Sequence, residues 1–407
     1  MVGWLLSARY PFFLAVRLLC LRFLLAGVFT FWIRRFLAAG VIVPAFRLKH
    51  REFWRFEFCE TRLTNVFEGT FSNGLKGREG VRVFITGASG TLGSYICREM
   101  LGAGHDVTAY SRTSGTMERV NWVLGDAENC EDLARSAQGH DVIIHLAAIP
   151  GPGRASPERL IATNLLTTTS VLESAVRSRI STVVFASSGA ALGFTFHNRP
   201  IAPQYLPVDE HHPCELHDSY GLSKLLGEIT CKSYTDAFGL KTICLRINNA
   251  WYVDRAGAES AVQFGWARGL TVEQLWERRY SKMVEDSSDH WPVPGPVSPR
   301  KNLWAVIDAR DVAIAFRLAA ESSIAGHQVF NLNGSDTCSL IPTPQLLARY
   351  FPEVPLRARL DNFDSLVSHR KAGQMLGFHP VHSWRRSDFA KWIAKRSAVN
   401  SNRDLDR

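Results

Sequence analysis

The chain has 407 residues, 46% hydrophobic and 21% charged, with a formal charge of +9. That length can bury a large core, and the composition excludes a disordered or fibrous chain. The positive charge is local: residues 1–51 carry eight Lys or Arg and no Asp or Glu, so the remainder sums to about +1 and offers no basic face for a nucleic acid.

Residues 1–46 are apolar but interrupted by Arg9, Arg17, Arg22, Arg34 and Arg35. The longest uncharged runs, 23–33 and 36–46, are 11 residues each, short of the roughly 18 that mark a membrane-spanning helix. The arginines spread around a helical wheel, so no amphipathic face emerges. The lack of acids suits an organelle-targeting leader, snorkelling arginines suit a membrane-associated hairpin, and a non-native extension fits as well. The body is expected in the cytoplasm, or at an organelle or membrane if the extension is genuine. Four glycines make 61–80 a flexible linker.

The stretch 81–93, VRVFITGASGTLG, organises the rest of the chain. Alternating β-branched and aromatic residues predict a buried strand, and the apolar positions Leu92, Ile96 and Met100 predict a helix ending near Gly102. Between them lie Gly87, Ser89, Gly90, Thr91, Leu92 and Gly93. A strand, a glycine-rich turn and a helix N-terminus form a cradle for the pyrophosphate of a dinucleotide.

Further strands are predicted at 105–112, 141–148, 181–188 and 240–247, with helices at 157–178 and 219–238 between them. This alternation specifies an α/β fold, a doubly wound parallel (Rossmann) sheet. The expected organisation is an extension and linker over 1–80, a nucleotide-binding domain over 81–395, and a tail over 396–407. Within the domain, 81–250 and 303–333 hold the cofactor. A smaller substrate-binding region takes 251–302 and 334–395, and its Trp- and Pro-rich 251–302 covers the substrate. Eight cysteines without a C-x-x-C pair read as buried thiols in a reducing compartment.

The second strand ends in Ser111 and Arg112, where a site that prefers NAD usually has an acid for the ribose 2′-hydroxyl. A hydroxyl and a guanidinium suit a 2′-phosphate, which favours NADP, with NAD as the alternative cofactor. Tyr220 and Lys224 share one face of the predicted helix, an ammonium one turn from a phenol. That charge is expected to lower the phenol pKa toward the range of acid/base catalysis. Ser187 and Ser188 close the preceding strand, where a hydroxyl can hold the substrate oxygen. His197, His211, His212 and His217 lack strict ligand spacing, and no metal is expected.

These residues resemble the extended short-chain dehydrogenases/reductases of the NAD-dependent epimerase/dehydratase group. The likeness rests on TGASGTLG (86–93), GD (125–126), HLAA (145–148), ATN (162–164), FASSGAALG (185–193), PVDEHHP (207–213), YGLSK (220–224), LRINN (245–249), DARDVA (308–313) and VFNLNG (329–334), in the family's order. It implies Ser188 as the group on the substrate oxygen, Tyr220 as acid/base, and Lys224 as its partner and a ribose contact. It also implies Asp126 at the adenine and Ala147 along the cofactor. Asn164 matches an asparagine that anchors a proton relay, or is simply a bonded buried amide. A homodimer acting on a small molecule is expected.

Two departures narrow the chemistry. Gly189 and Ala190 stand where sugar-nucleotide dehydratases carry an acidic pair, and Trp304 stands where nucleotide-sugar epimerases place an arginine for the diphosphate. The expected activity is therefore NAD(P)-dependent hydride transfer at a secondary alcohol or ketone of a sugar, sugar acid or similar carbonyl compound. The alternatives are a nucleotide-sugar epimerase and a non-catalytic NADP-binding regulatory protein.

Overall fold

The computed structural model describes residues 80–197, 201–253, 262–264, 301–339, 341–383 and 385, all of them in the unit Gly74–Arg407. The N-terminal extension, most of 251–302 and the tail lie outside the described residues.

Strand β1 (Arg82–Thr86) runs into helix α1 (Thr91–Gly102), followed by β2 (Asp106–Ser111), β3 (Val120–Leu124), α2 (Cys130–Ala137) and β4 (Val142–His145). Next come α3 (Pro157–Arg177), β5 (Thr182–Ser188), a 3₁₀ turn at Gly189–Leu192, α4 (Ser219–Phe238) and β6 (Lys241–Ile247). Short strands β7 (Ala250–Val253), β8 (Val262–Phe264) and β9 (Ile307–Asp308) precede α5 (Ala309–Glu321), β10 (His327–Leu332), α6 (Thr343–Tyr350) and α7 (Arg370–Leu376). The main sheet has seven strands in the order β10-β6-β5-β4-β1-β2-β3, and every pairing is parallel. The chain moves outward from β1 to β3, then returns to β4 and moves the other way, so the β1/β4 boundary is the switch point where such folds bind ligands. Strands β8, β7 and β9 form a separate small sheet.

Burial on both faces explains the apolar strands. Val83 and Ile85 face α1 and α5 in one core with Ile96, Met100, Val312 and Phe316. Phe84, one residue out of phase, joins Ile143, Leu172, Cys231 and Cys244 in the core on the other face. The helices begin and end on local signals. For α3, Ser156 accepts from the Arg159 N–H, and Pro157 takes the first position, where no intrahelical donor is needed. For α4, Asp218 accepts from the Gly221 N–H at 2.7 Å, and Gly239 ends the helix at φ 71°. A third core packs Leu192 and Phe194, which follow β5, against Trp304, Leu346 and Phe351 of the C-terminal region.

Candidate active site

A cavity of about 800 Å³ opens along the carboxyl ends of β1, β2, β4, β5 and β6. At one end lies the glycine turn. Gly87 has φ +71°, and a side chain there would meet the Ala147 backbone nitrogen at 2.7 Å. A side chain at Gly93 would strike the Ala88 carbonyl at 2.4 Å, so α1 packs onto the turn only because that side chain is missing. Gly90 begins α1 without a side-chain cap, which leaves the helix N-terminus to face the cavity as an anion site. These features fit a bound dinucleotide. Ser89, Thr91, Leu92, Arg112, Asp126 and Ala147 line the same cavity.

Ser111 also lines the cavity. It is buried, and its hydroxyl donates to the Thr113 carbonyl at 2.7 Å, so it braces the loop that carries Arg112. Thr113 in turn donates to Ser89 at 3.1 Å, tying this loop to the glycine turn. Arg112 itself is exposed at the cavity edge.

At the other end Ser188, Tyr220 and Lys224 come together. Strand β5 brings Ser188 to its carboxyl end, and its hydroxyl accepts from the Ala190 N–H at 3.1 Å and bonds the Tyr220 phenol. The Phe196 and Tyr220 rings meet nearly at right angles with centroids 5.9 Å apart. Lys224 is 5% exposed and donates to the Ala186 carbonyl at 2.8 Å. Its ammonium lies 5.0 Å from the centre of the Phe185 ring and 5.8 Å from that of Tyr220.

The electrostatics correct one expectation. The Tyr220 pKa is not lowered: burial pushes it up to about 12, with the Ser188 hydrogen bond and the Arg154 charge opposing. Burial also pushes Lys224 down to about 8, with the Glu228 carboxylate opposing. The reason is geometric. The ammonium is held by a backbone carbonyl instead of the phenol, and loss of water outweighs it. A phenol in this state is protonated at neutral pH and suited to donating its proton.

Asn164 lies behind the cavity wall. Its Oδ1 accepts from the Ile149 N–H at 2.7 Å, while Nδ2 donates to the Ile149 carbonyl at 3.2 Å and to the Ser223 hydroxyl at 2.9 Å. It pins the β4–α3 loop to α4, a positioning role. His145 likewise ties elements together. It bonds Thr86 on β1 at 2.9 Å and Thr168 on α3 at 3.3 Å, and burial depresses its pKa to about 3, so the ring is neutral.

Sequence reasoning missed a buried network beneath Ser188. Ser187 donates to Glu228 at 2.5 Å, and Arg246 grips the same carboxylate with bonds of 2.9 and 2.8 Å. Glu228 lies one helical turn beyond Lys224, a spacing that could have revealed it. His212 accepts from the Gln204 N–H through Nε2 and reaches the Pro213 carbonyl through Nδ1, both at 2.9 Å. Among the described residues no group of three His, Cys, Asp or Glu could hold a metal.

Residues 83–332 match the NAD-dependent epimerase/dehydratase family. The chain belongs to that family. A UDP-glucose 4-epimerase of Corynebacterium glutamicum is 27% identical over 317 residues, covering 74% of this chain and 92% of that protein. A uronate dehydrogenase of Pseudomonas syringae pv. tomato is 28% identical over 42% of this chain and 60% of its own length. The crystal structure of a Brucella ovis UDP-glucose 4-epimerase in complex with NAD shares the fold, with a TM-score of 0.55 and 24% identity over 75% of this chain and 94% of that one. No helix among the described residues is long and apolar enough to cross a membrane.

Proposed function

We propose that the chain is an NAD(P)-dependent oxidoreductase acting on a secondary alcohol or ketone of a sugar, sugar acid or similar carbonyl compound. The observation that carries this reading is the meeting of Ser188, Tyr220 and Lys224 at one end of a cavity whose other end is the glycine turn. A module that only bound nucleotide would need the turn and not the three side chains. A bound nicotinamide supplies or accepts the hydride. The residues manage the proton: Ser188 orients the substrate oxygen, and Tyr220 donates its phenolic proton as a carbonyl is reduced. In the oxidising direction Tyr220 takes that proton, which first requires positive charge near the phenol. The Arg154 charge acts on the phenol in that sense, and Lys224, 5.8 Å from the Tyr220 ring centre, lies at the same end.

Arg112 at the cavity edge supports a preference for NADP over NAD, since guanidinium pairs with phosphate. Epimerisation of a nucleotide sugar is the second reading, favoured by the relative that spans most of this chain. Against it, Trp304 is 6% exposed and packs on Tyr350 and Phe351, so it is part of the core and faces no diphosphate. Lys301 is not among the residues lining the cavity, and its ammonium is bonded to the His197 carbonyl at 2.7 Å. A panel of sugars, sugar acids and nucleotide sugars, assayed for net change in NADH or NADPH absorbance, tests the proposal. Isomerised product without net absorbance change would establish the epimerase; nucleotide binding with no turnover across the panel would favour the regulatory protein.

A further inference from the structure

The catalytic end of the cavity holds positive charge that its described lining does not offset. Arg154 lies on the loop between β4 and α3 and lines the cavity. It is exposed, and no carboxylate among the described residues bonds to it. Arg159, one turn into α3, is different: Glu128 holds it at 3.0 Å. Arg154 stands near enough to Tyr220 for its charge to act on the phenol, and Lys224 adds a second cation to the same end. Asp218 also acts on the phenol, but its carboxylate is turned into the first turn of α4, where it accepts from Gly221. Asp126 accepts from the Glu128 N–H at the end of the cavity beside Tyr110, away from the Ser188 side.

We propose that Arg154 binds a carboxylate on the substrate, so that the preferred substrate class is a sugar acid whose carbinol meets Ser188 and Tyr220. This rests on Ser188, Tyr220 and Lys224 being the reacting end of an oxidoreductase. A guanidinium pairs with a carboxylate through two parallel hydrogen bonds, which fixes orientation as well as charge. Arg154 and Tyr220 line the same cavity, and the guanidinium charge acts on the phenol, so an anion held by Arg154 sits at the reacting end of the site.

The test uses the full chain in the Tyr220→Phe background, saturated with NAD or NADP so that binding is read without turnover. D-Galacturonate, D-galactose and D-galactose 6-phosphate are titrated by calorimetry; they differ only at C6. Galacturonate is expected to bind roughly 10- to 100-fold more tightly than galactose, the range for a charge-assisted pair. Arg154→Met should remove that advantage, leave galactose within about twofold and leave nucleotide affinity unchanged; Arg154→Lys should restore part of it. Equal binding of acid and neutral sugar, absence of binding by either, or tighter binding of the phosphate would overturn the proposal. So would a loss of nucleotide affinity in Arg154→Met, which would assign the guanidinium to the cofactor. Failure of the underlying oxidoreductase reading looks different: nucleotide does not bind, or Tyr220→Phe still turns over.

Discussion

Replacing Lys224 by Met should remove activity and yet stabilise the fold at neutral pH. The native side chain is buried as an ammonium, and its pKa falls from 10.5 to about 8. At 1.36 kcal/mol per tenfold change in proton affinity, holding that charge in place costs about 3 kcal/mol when the lysine is protonated in both folded and unfolded chains. The substitution also leaves the Ala186 carbonyl without its 2.8 Å donor, a loss of roughly 1–2 kcal/mol. A net gain of about 1–2 kcal/mol remains at pH 7. The sign with pH is set by the depressed value. The cost is fully present below pH 8, shrinks between pH 8 and 10.5 as the folded lysine loses its proton before the unfolded one, and is gone above that. Urea unfolding of both proteins at pH 7 and pH 10 measures it. The advantage of Lys224→Met should vanish or turn slightly negative at pH 10. A variant less stable by the same margin at both pH values would show that the ammonium carries no burial cost, and the electrostatic account of this site would fail.

Three further substitutions separate the roles of the site residues. Tyr220→Phe should cut turnover roughly 10²- to 10⁴-fold with nucleotide affinity nearly intact, because only the proton-carrying oxygen is lost; native-like turnover would remove the phenol from the mechanism. Arg112→Ala should weaken NADP about 10-fold or more while NAD changes little, and equal affinities unaffected by the substitution would end the NADP preference. Asn164→Asp keeps an acceptor for the Ile149 N–H but removes both Nδ2 donations and buries a charge. It should destabilise the fold by about 3 kcal/mol in urea unfolding. Unchanged stability with lost turnover would instead make Asn164 part of the chemistry.

The parts of this protein legible in its sequence are those set by local pattern. The β-branched and aromatic run in 82–86 and the glycine spacing after it specify a buried strand and a tight turn, because a side chain at Gly87 or Gly93 has nowhere to go. The bounds of α4 could be read directly, since Asp218 and Gly239 are chemical start and stop signals. Tyr220 and Lys224 share a helix face for the same local reason. What tertiary structure decided is what each group does with its neighbours. The family likeness singles out Ser188 over Ser187, but only packing shows that Ser187 goes to Glu228 and Ser188 to Tyr220. The tyrosine–lysine spacing suggests a lowered phenol pKa, but burial and the Ala186 carbonyl, contributed by a strand 38 residues earlier, reverse it. Arg154 stands out in no motif. It becomes notable only because the crossover from β4 to α3 carries it to the Tyr220 end of the cavity, where no described acid bonds to it. Solvation and pairing are properties of the assembled fold, and nearest-neighbour sequence pattern does not contain them.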